Sequence, residues 1–278
     1  MIQSLKIIAL GLIALALVCL LALWAFQRFG VYRFPTTAEV PADVGLETVE
    51  VVEFTSEDGH PGRAWVAQAA PGRPWILSLH GNAASIGRSM AQFAPLIDDG
   101  YGMVMMQYRG TQGSPGQPSE VNFAADARAL YDQFDTIVGV SVPPEALVLH
   151  GYSLGAGVGS RLAATRPFAG VILQSAPHRT CLFFERRYRG APLCQLMWRE
   201  RYDVVDHLRN IEAPVLIVHG RADASVPVEE ARANFEAAPT PWDLRLLDGG
   251  HADLARHGLV ETMAEFTDAV TRPSPVSE

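Results

Sequence analysis

The sequence predicts an α/β domain built on a mostly parallel, eight-stranded sheet and preceded by one transmembrane helix. Three observations support this prediction: an uncharged apolar run opens the chain, short β-rich runs then alternate with longer amphipathic stretches, and 278 residues suffice for one large domain. Strands that alternate with helices indicate a parallel sheet covered by helices on both faces.

The apolar run carries no charged side chain from Ile7 to Phe26. These 20 residues rise about 1.5 Å each as a helix, which gives about 30 Å, the thickness of a bilayer core. A cleaved signal peptide would have a shorter apolar run before a small-x-small site, whereas this run ends in Leu23-Trp24-Ala25-Phe26-Gln27. We therefore expect an uncleaved, single-pass anchor over residues 1–30.

The charges beside the anchor do not fix its orientation. Lys6 and the amino terminus flank one end, while Arg28 and Arg33 flank the other. A short leading segment most often sends the following domain across the membrane, so we expect an extracytoplasmic domain. Residues 31–45, which include Pro35, are predicted to form a linker that lets the domain stand off the membrane.

The folded domain is expected over residues 46–272, with a disordered tail over residues 273–278. It opens with a hairpin around the turn Ser56-Glu57-Asp58-Gly59. The predicted strands are Leu46–Phe54, Arg63–Ala67, Trp75–Leu79, Gly102–Met106, Leu147–His150, Val171–Gln174, Val215–Val218 and Leu244–Leu247. The predicted helices are Ile86–Asp98, Val121–Ile137, Leu154–Thr165, Val228–Ala237 and Leu259–Val270.

Residues 177–210 interrupt this alternation and are too long for an ordinary crossover. We predict a small cap over the C-terminal edge of the sheet. Its aromatic side chains could line a substrate pocket or pack the cap helices, and its arginines could face lipid headgroups, an anionic substrate or solvent. The residues concerned are Phe183, Phe184, Tyr188, Trp198 and Tyr202, with Arg186, Arg187, Arg189, Arg199 and Arg201.

Two features bear on the surroundings of the domain. The formal net charge of −8 argues against nucleic-acid binding, because neutralising phosphates requires a basic face. Cys181 and Cys194 lie in the same irregular stretch. They could form a disulfide if the domain faces an oxidising compartment, and would remain thiols in a cytosol.

The predicted nucleophile follows a strand, where ligands of open α/β sheets bind. After Leu147–His150 the chain reads Gly151-Tyr152-Ser153-Leu154-Gly155, a G-x-S-x-G sequence. This pattern is typical of a sharp turn from strand to helix that holds a serine exposed in a strained conformation. The sequence therefore predicts Ser153 as the catalytic nucleophile.

A serine hydroxyl needs a neighbouring general base. Among the eight histidines we favour His251, which follows the strand Leu244–Leu247 through the flexible turn Asp248-Gly249-Gly250. His257, on the next segment, is the alternative. Three other histidines end strands, where hydrogen bonds to neighbouring loops are the commoner role: His80, His150 and His219.

The base in turn needs a carboxylate that orients it. Asp223 lies in the loop after the strand Val215–Val218, one strand before His251, and a turn or helix-capping aspartate is the alternative interpretation. The loop after the preceding strand reads Gln174-Ser175-Ala176 and offers no carboxylate. The order of Ser153, Asp223 and His251 along the chain is also typical of this architecture.

The loop His80-Gly81-Asn82 follows the strand Trp75–Leu79 and is the fourth polar strand end. Acyl transfer builds a tetrahedral oxyanion that two backbone N–H groups can stabilise. We predict the N–H groups of Asn82 and Leu154 as these donors, the latter at the start of a helix whose dipole adds to the effect. A purely structural turn is the alternative for His80-Gly81.

Together these motifs resemble the α/β-hydrolase superfamily over nearly the whole chain. The matching segments are Gly151-Tyr152-Ser153-Leu154-Gly155, His80-Gly81-Asn82-Ala83, Tyr108-Arg109-Gly110 with Gly113-Ser114, His219-Gly220-Arg221-Ala222-Asp223 and Gly250-His251. More narrowly, the chain is similar to the membrane-anchored branch that includes serine-aminopeptidase-like proteins and acyl-protein-thioesterase-like enzymes. This resemblance implies an α/β-hydrolase fold.

We therefore expect a serine hydrolase of the esterase or thioesterase type, which cleaves an ester, thioester or amide bond through an acyl-enzyme on Ser153. No metal or cofactor is implied. The cap and the anchor suggest a small-molecule or lipid-like acyl substrate. Two alternatives are an acyltransferase with the same triad and a non-catalytic, membrane-tethered interaction protein of the same fold.

Overall fold

The computed structural model describes residues 2–111, 113–189 and 191–272, so the tail predicted over residues 273–278 lies outside the described part. Its strands are β1 (Glu50–Thr55), β2 (Pro61–Ala67), β3 (Trp75–Leu79), β4 (Gly102–Gln107), β5 (Leu147–Tyr152), β6 (Gly170–Gln174), β7 (Val215–Gly220) and β8 (Pro241–Leu247).

The α-helices alternate with these strands, and short turns of other helix types join them. They are α1 (Ile2–Ala25), α2 (Ile86–Ala91), α3 (Ala94–Asp98), α4 (Glu120–Asp132), α5 (Phe134–Val138), α6 (Leu154–Ala163), α7 (Thr180–Arg187), α8 (Leu193–Leu196), α9 (Val204–Leu208), α10 (Val228–Ala237) and α11 (Leu259–Thr271). A π-helical turn covers Phe26–Gly30, and turns of 3-10 helix cover Pro41–Val44, Pro144–Ala146 and Leu254–His257.

The eight strands form one sheet in the order β1-β2-β4-β3-β5-β6-β7-β8. β2 pairs antiparallel with β1 and β4, and every other neighbouring pair is parallel. All residues of β3 to β6 are buried except Tyr152, as expected for strands covered on both faces. The predicted class, a mostly parallel eight-stranded sheet flanked by helices, is confirmed.

Three predicted elements differ most from the observed ones, while most of the others differ by one to three residues at their ends. β1 begins at Glu50 rather than Leu46, because residues 46–49 form a turn in which the Val49 N–H donates to the Leu46 carbonyl. The helix predicted over Ile86–Asp98 is divided into α2 and α3, where Pro95 in the first turn of α3 has no N–H to continue α2. The helix predicted over Val121–Ile137 is divided at Gln133, whose φ of −106° and ψ of 11° lie outside the helical region.

The apolar helix α1 is long enough to cross a membrane. It spans 24 residues, and an 18-residue window within it has a mean hydropathy of 2.9 with no residue buried against the rest of the protein. Length and composition therefore make α1 a candidate anchor.

The segment that follows α1, residues 26–34, is called the junction segment below. Leu23 at the end of α1 and Phe26 pack against an apolar cluster formed by Val31 and side chains of the predicted cap interval. Further along, Tyr32 and Phe34 pack against the main core. The first residues of the predicted linker therefore contact the domain, because their apolar side chains bury themselves there.

The interval predicted as a cap folds as the short helices α7, α8 and α9. Cys181 at the start of α7 and Cys194 in α8 form a disulfide, with 4.8 Å between their Cα atoms. The junction cluster consists of Val31, Cys181, Phe184, Leu193 and Met197. Leu23 and Phe26 pack against this cluster, so α7 and α8 meet the end of α1 at one place.

Candidate active site

The four polar strand ends predicted from the sequence meet at the C-terminal edge of the sheet. Ser153 follows β5, Asp223 follows β7, His251 follows β8 and Asn82 follows β3. Parallel strands place their carboxyl ends at the same edge, which is why residues far apart in sequence lie together.

The Ser153, His251 and Asp223 side chains form a continuous hydrogen-bonded chain. The Ser153 Oγ lies 3.0 Å from His251 Nε2, and His251 Nδ1 lies 2.7 Å from Asp223 Oδ2. An ionised carboxylate only accepts hydrogen bonds, so Nδ1 carries the proton and donates to Asp223, which leaves Nε2 free to accept from Ser153. This arrangement suits a nucleophile, a base and an orienting acid.

The backbone at Ser153 has a conformation that few side chains adopt. Its φ of 53° and ψ of −111° turn the chain sharply between β5 and α6, and its N–H donates to the Gln174 carbonyl at 2.9 Å. A Cβ at Gly155 would lie 1.9 Å from the Leu79 carbonyl oxygen, and one at Gly151 would lie 2.7 Å from the Ala156 Cα. The two glycines therefore permit the close approach of α6 to the sheet that fixes Ser153.

Asp223 is held as an anion by its surroundings. Its side chain is fully buried, yet Oδ1 accepts hydrogen bonds from the Ser225 and Val226 N–H groups, each at 2.8 Å. Burial alone would raise the pKa of Asp223, but these bonds and the His251 hydrogen bond together hold that pKa below its usual value. The ionised carboxylate can therefore stabilise a positive charge on His251.

The other histidines at strand ends have structural partners. The His150 Nε2–H donates to Gln174 Oε1 at 3.0 Å, and the His219 Nε2–H donates to the Val226 carbonyl at 2.9 Å. Burial lowers the pKa of His80 and of His150 to about 4, so both stay neutral near pH 7. His257, the alternative base, lies 3.6 Å from Asp253 on the turn of 3-10 helix.

Asn82 and Leu154, the predicted oxyanion donors, line the same cavity as Ser153. A Cβ at Gly81 would lie 3.4 Å from Ser153 Cβ, so the loop after β3 runs directly against Ser153. Tyr108 supports this loop, because its hydroxyl donates to the His80 carbonyl at 3.0 Å. Leu154 is the first residue of α6, where N–H groups have no partner within the helix.

A cavity of about 320 Å³ opens above Ser153 and His251. The junction segment forms one wall, the loops after β3 and β7 form others, and α7 closes the top. Its lining residues are Val31, Arg33, Asn82, Ala83, Ser153, Leu154, Pro177, Thr180, Phe183, Phe184, Arg187, Tyr188, Ser225, Val226 and His251.

The cap side chains were predicted either to line a substrate pocket or to pack and pair elsewhere, and some of them do each. Phe183, Phe184, Tyr188 and Arg187 line the cavity. Arg186 instead pairs with Glu230 on α10. Other members of the set lie elsewhere: Trp198 is exposed, Tyr202 is buried beneath α6, and Arg201 pairs with Asp203 at 3.1 Å.

Sequence reasoning missed the contribution of the junction segment. Val31 and Arg33 line the cavity although they directly follow the apolar helix. The aromatic residues Tyr32 and Phe34, two positions apart, are the signal that could have indicated packing against the domain. It was obscured because the proline after Phe34 is typical of a linker.

Comparison with known proteins agrees with this geometry. The model of the alpha/beta hydrolase family matches residues 76–200. An uncharacterized protein of Mycobacterium tuberculosis is 33% identical over 238 residues, which cover 83% of this chain and 82% of that protein. The chain belongs to the α/β-hydrolase family. The human alpha/beta hydrolase domain-containing protein 17C is 29% identical to this hydrolase over 80% of this chain and 66% of its own.

Solved structures share the fold of this α/β hydrolase. The Pyrococcus furiosus esterase Pf2001 superposes with a TM-score of 0.63 at 20% identity, over 86% of this chain and 96% of the esterase. Est1E of Butyrivibrio proteoclasticus gives a TM-score of 0.61 at 17% identity, over 79% of this chain and 98% of its own. At these identities the likeness concerns the architecture alone.

Replacing Asp223 with Asn is expected to lower kcat by about 10⁴-fold, because an amide neither fixes the His251 tautomer nor stabilises the imidazolium. Steady-state kinetics with a chromogenic ester measures the effect. The matched control is Asp248→Asn. Asp248 is an exposed aspartate on the turn that leads to His251, and its side chain pairs with Arg221 at 3.1 Å. Equal activity of the two variants would contradict the role assigned to Asp223.

Proposed function

We propose that this protein is a membrane-anchored serine hydrolase that cleaves an ester, thioester or amide bond through an acyl-enzyme on Ser153. The observation that carries the proposal is the hydrogen-bonded chain from Ser153 through His251 to the buried Asp223 at the floor of a cavity. The alpha/beta hydrolase family model and the fold shared with esterases support a hydrolase.

In the first half of the reaction Ser153 Oγ attacks the substrate carbonyl carbon while its proton passes to His251 Nε2. The resulting imidazolium is stabilised by Asp223, and the carbonyl oxygen becomes an oxyanion. When the tetrahedral intermediate collapses, His251 gives its proton to the departing alcohol, thiol or amine. The acyl group remains as an ester on Ser153.

In the second half, His251 Nε2 takes a proton from water as the water oxygen attacks the acyl-enzyme. A second oxyanion forms and collapses, Ser153 Oγ regains the proton from His251, and the carboxylic acid leaves. The N–H groups of Asn82 and Leu154 are assigned to both oxyanions. One such donor is commonly worth about 10²–10³ in kcat.

The cavity walls favour an acyl substrate with an apolar chain. Val31, Phe183, Phe184 and Tyr188 provide apolar and aromatic surface above the nucleophile. The cavity also adjoins the junction segment at the end of α1, so an anchored enzyme would hold its cavity close to the lipid surface. A lipid-like acyl compound fits both the chemistry of the walls and this position.

The anchor itself is assigned to α1, and the catalytic domain to the extracytoplasmic side. The paired Cys181 and Cys194 support that side, since disulfides persist in oxidising compartments.

The proposed location predicts that an added protease degrades the domain in intact cells. A maleimide should then react with Cys181 and Cys194 only after reduction. Protection of the domain until lysis, together with freely reacting thiols, would place it in the cytosol.

Labelling with a fluorophosphonate probe tests the serine mechanism. Wild-type protein is expected to react and Ser153→Ala to be inert, because the probe bonds only to an activated serine oxygen. Ser141→Ala is the matched control, since the Ser141 hydroxyl bonds to Asp135 at an exposed position. An unlabelled wild type, or equal labelling of Ser153→Ala, would refute the proposal.

A series of p-nitrophenyl esters tests the substrate class. The kcat/KM value should rise with acyl length by up to about fourfold per carbon, since each buried methylene contributes about 0.8 kcal/mol. Phe183→Ala should reduce this gain for long chains and leave hydrolysis of the acetate unaffected. The control Leu196→Ala, at an exposed cap residue outside the cavity, should leave the gain for long chains unchanged. A flat profile would argue against an apolar acyl substrate.

A further inference from the structure

The Asn82 side chain binds the backbone of the junction segment on two sides. Its Nδ2 donates to the Val31 carbonyl at 2.7 Å, and its Oδ1 accepts from the Arg33 N–H at 3.0 Å. The same Oδ1 also accepts from the Ala83 N–H at 3.1 Å. One amide group therefore links the loop after β3 to the chain that leaves α1.

The Ala83 bond stabilises an unusual turn. Ala83 has a φ of 60°, in the left-handed region that residues with a Cβ rarely adopt. Because Oδ1 of Asn82 accepts from both the Ala83 N–H and the Arg33 N–H, a single oxygen atom joins this turn to the junction segment. The Asn82 N–H, assigned to the oxyanion, is on the residue that makes these contacts.

Aromatic packing adds a second contact between the junction segment and this loop. The Phe34 ring lies 5.8 Å from the His80 ring and 5.4 Å from the Tyr108 ring, measured between centroids. Tyr108 in turn donates to the His80 carbonyl. The junction segment thus contacts two residues of the four-residue loop His80–Ala83, namely His80 and Asn82.

The junction segment is itself held in place. Gln27 is fully buried, and its Oε1 accepts from the Trp198 and Arg199 N–H groups, each at 2.9 Å. The Tyr32 hydroxyl bonds to Glu200 and lies 2.6 Å from the Tyr202 hydroxyl. These bonds connect the end of α1 to the cap interval, so the segment that meets Asn82 has a defined position.

We infer that the junction segment is part of the active site, and that the Asn82 side chain positions the oxyanion loop through its bonds to the backbone of Val31 and Arg33. Asn82 then has two roles: its N–H is the donor, and its side chain sets the direction of that N–H. The inference rests on the proposed function. The apolar helix would accordingly contribute to catalysis as well as to attachment.

Small displacements of the loop are expected to affect the transition state selectively. Oxyanion donors act because they already point to where charge develops, and a shift of about 1 Å in a supporting group can weaken that effect strongly. Ground-state binding in the cavity depends mainly on the apolar walls. Loss of the Asn82 side chain should therefore lower kcat and change KM little.

The full-length protein in detergent, with an activated ester as substrate, tests this inference through Asn82→Ala, which keeps the backbone N–H. The kcat should fall by about 10-fold to 100-fold, and KM should stay within about twofold. The inhibition constant of a trifluoromethyl ketone, which forms an oxyanion on the nucleophile, should rise by the same factor as kcat falls. The control is Asn210→Ala, at an exposed asparagine whose amide bonds to the Asp206 carbonyl.

A second pair of variants tests whether the Asn82 side chain acts through the Arg33 N–H. Arg33→Pro removes the N–H that Asn82 Oδ1 accepts, and Arg33→Ala keeps it. Asn82→Ala should cost less activity in the Arg33→Pro background than in the Arg33→Ala background, because the two groups act through one bond. Equal costs in both backgrounds would contradict the link.

The outcomes separate the two proposals. Wild-type kcat in Asn82→Ala, or a loss confined to KM or to folding with no matching rise in the inhibition constant, would overturn this inference while leaving a serine mechanism intact. Hydrolysis retained by Ser153→Ala would overturn the proposed function and this inference with it.

Discussion

The close packing of α6 against β3 and β5 determines where Ser153 and the loop after β3 lie. Gly155 lies against the Leu79 carbonyl and Gly151 against Ala156, with no space for a Cβ at either position. This packing forces Ser153 into its strained conformation and directs its hydroxyl toward His251. It also brings the loop after β3 against Ser153, so one contact between helix and sheet places the proposed nucleophile beside the loop proposed to hold the oxyanion.

The rest of the site adds directional bonds to this packed frame. Asp223 is buried but accepts three hydrogen bonds, which is how a carboxylate can stay ionised away from water. His251 sits between this anion and Ser153, and His80 and His150 stay neutral because they are buried. Negative charge is thus held at Asp223, while the imidazoles of His80 and His150 serve as neutral hydrogen-bonding groups.

Much of the fold and the strand-end residues could be predicted because both follow from local patterns. Buried parallel strands are short apolar runs, and their carboxyl ends must meet, so Ser153, Asp223, His251 and Asn82 were predictable as neighbours. The bonds of Asn82 to Val31 and Arg33 were not, because they join residues about 50 positions apart through backbone groups that every sequence carries. The division of the first long helix could have been predicted from Pro95, which has no N–H to continue a helix, whereas Gln133 carries no such signal at the second division.

The proposed mechanism requires Ser153 to carry the acyl group during turnover. Rapid mixing with an activated ester, acid quenching and mass spectrometry of the digested protein would test it most directly. We expect one acyl group on the peptide that contains Ser153, formed in a burst and absent from Asp223→Asn on the same timescale. Turnover without any acylated peptide, or an acyl group on a different residue, would contradict the account.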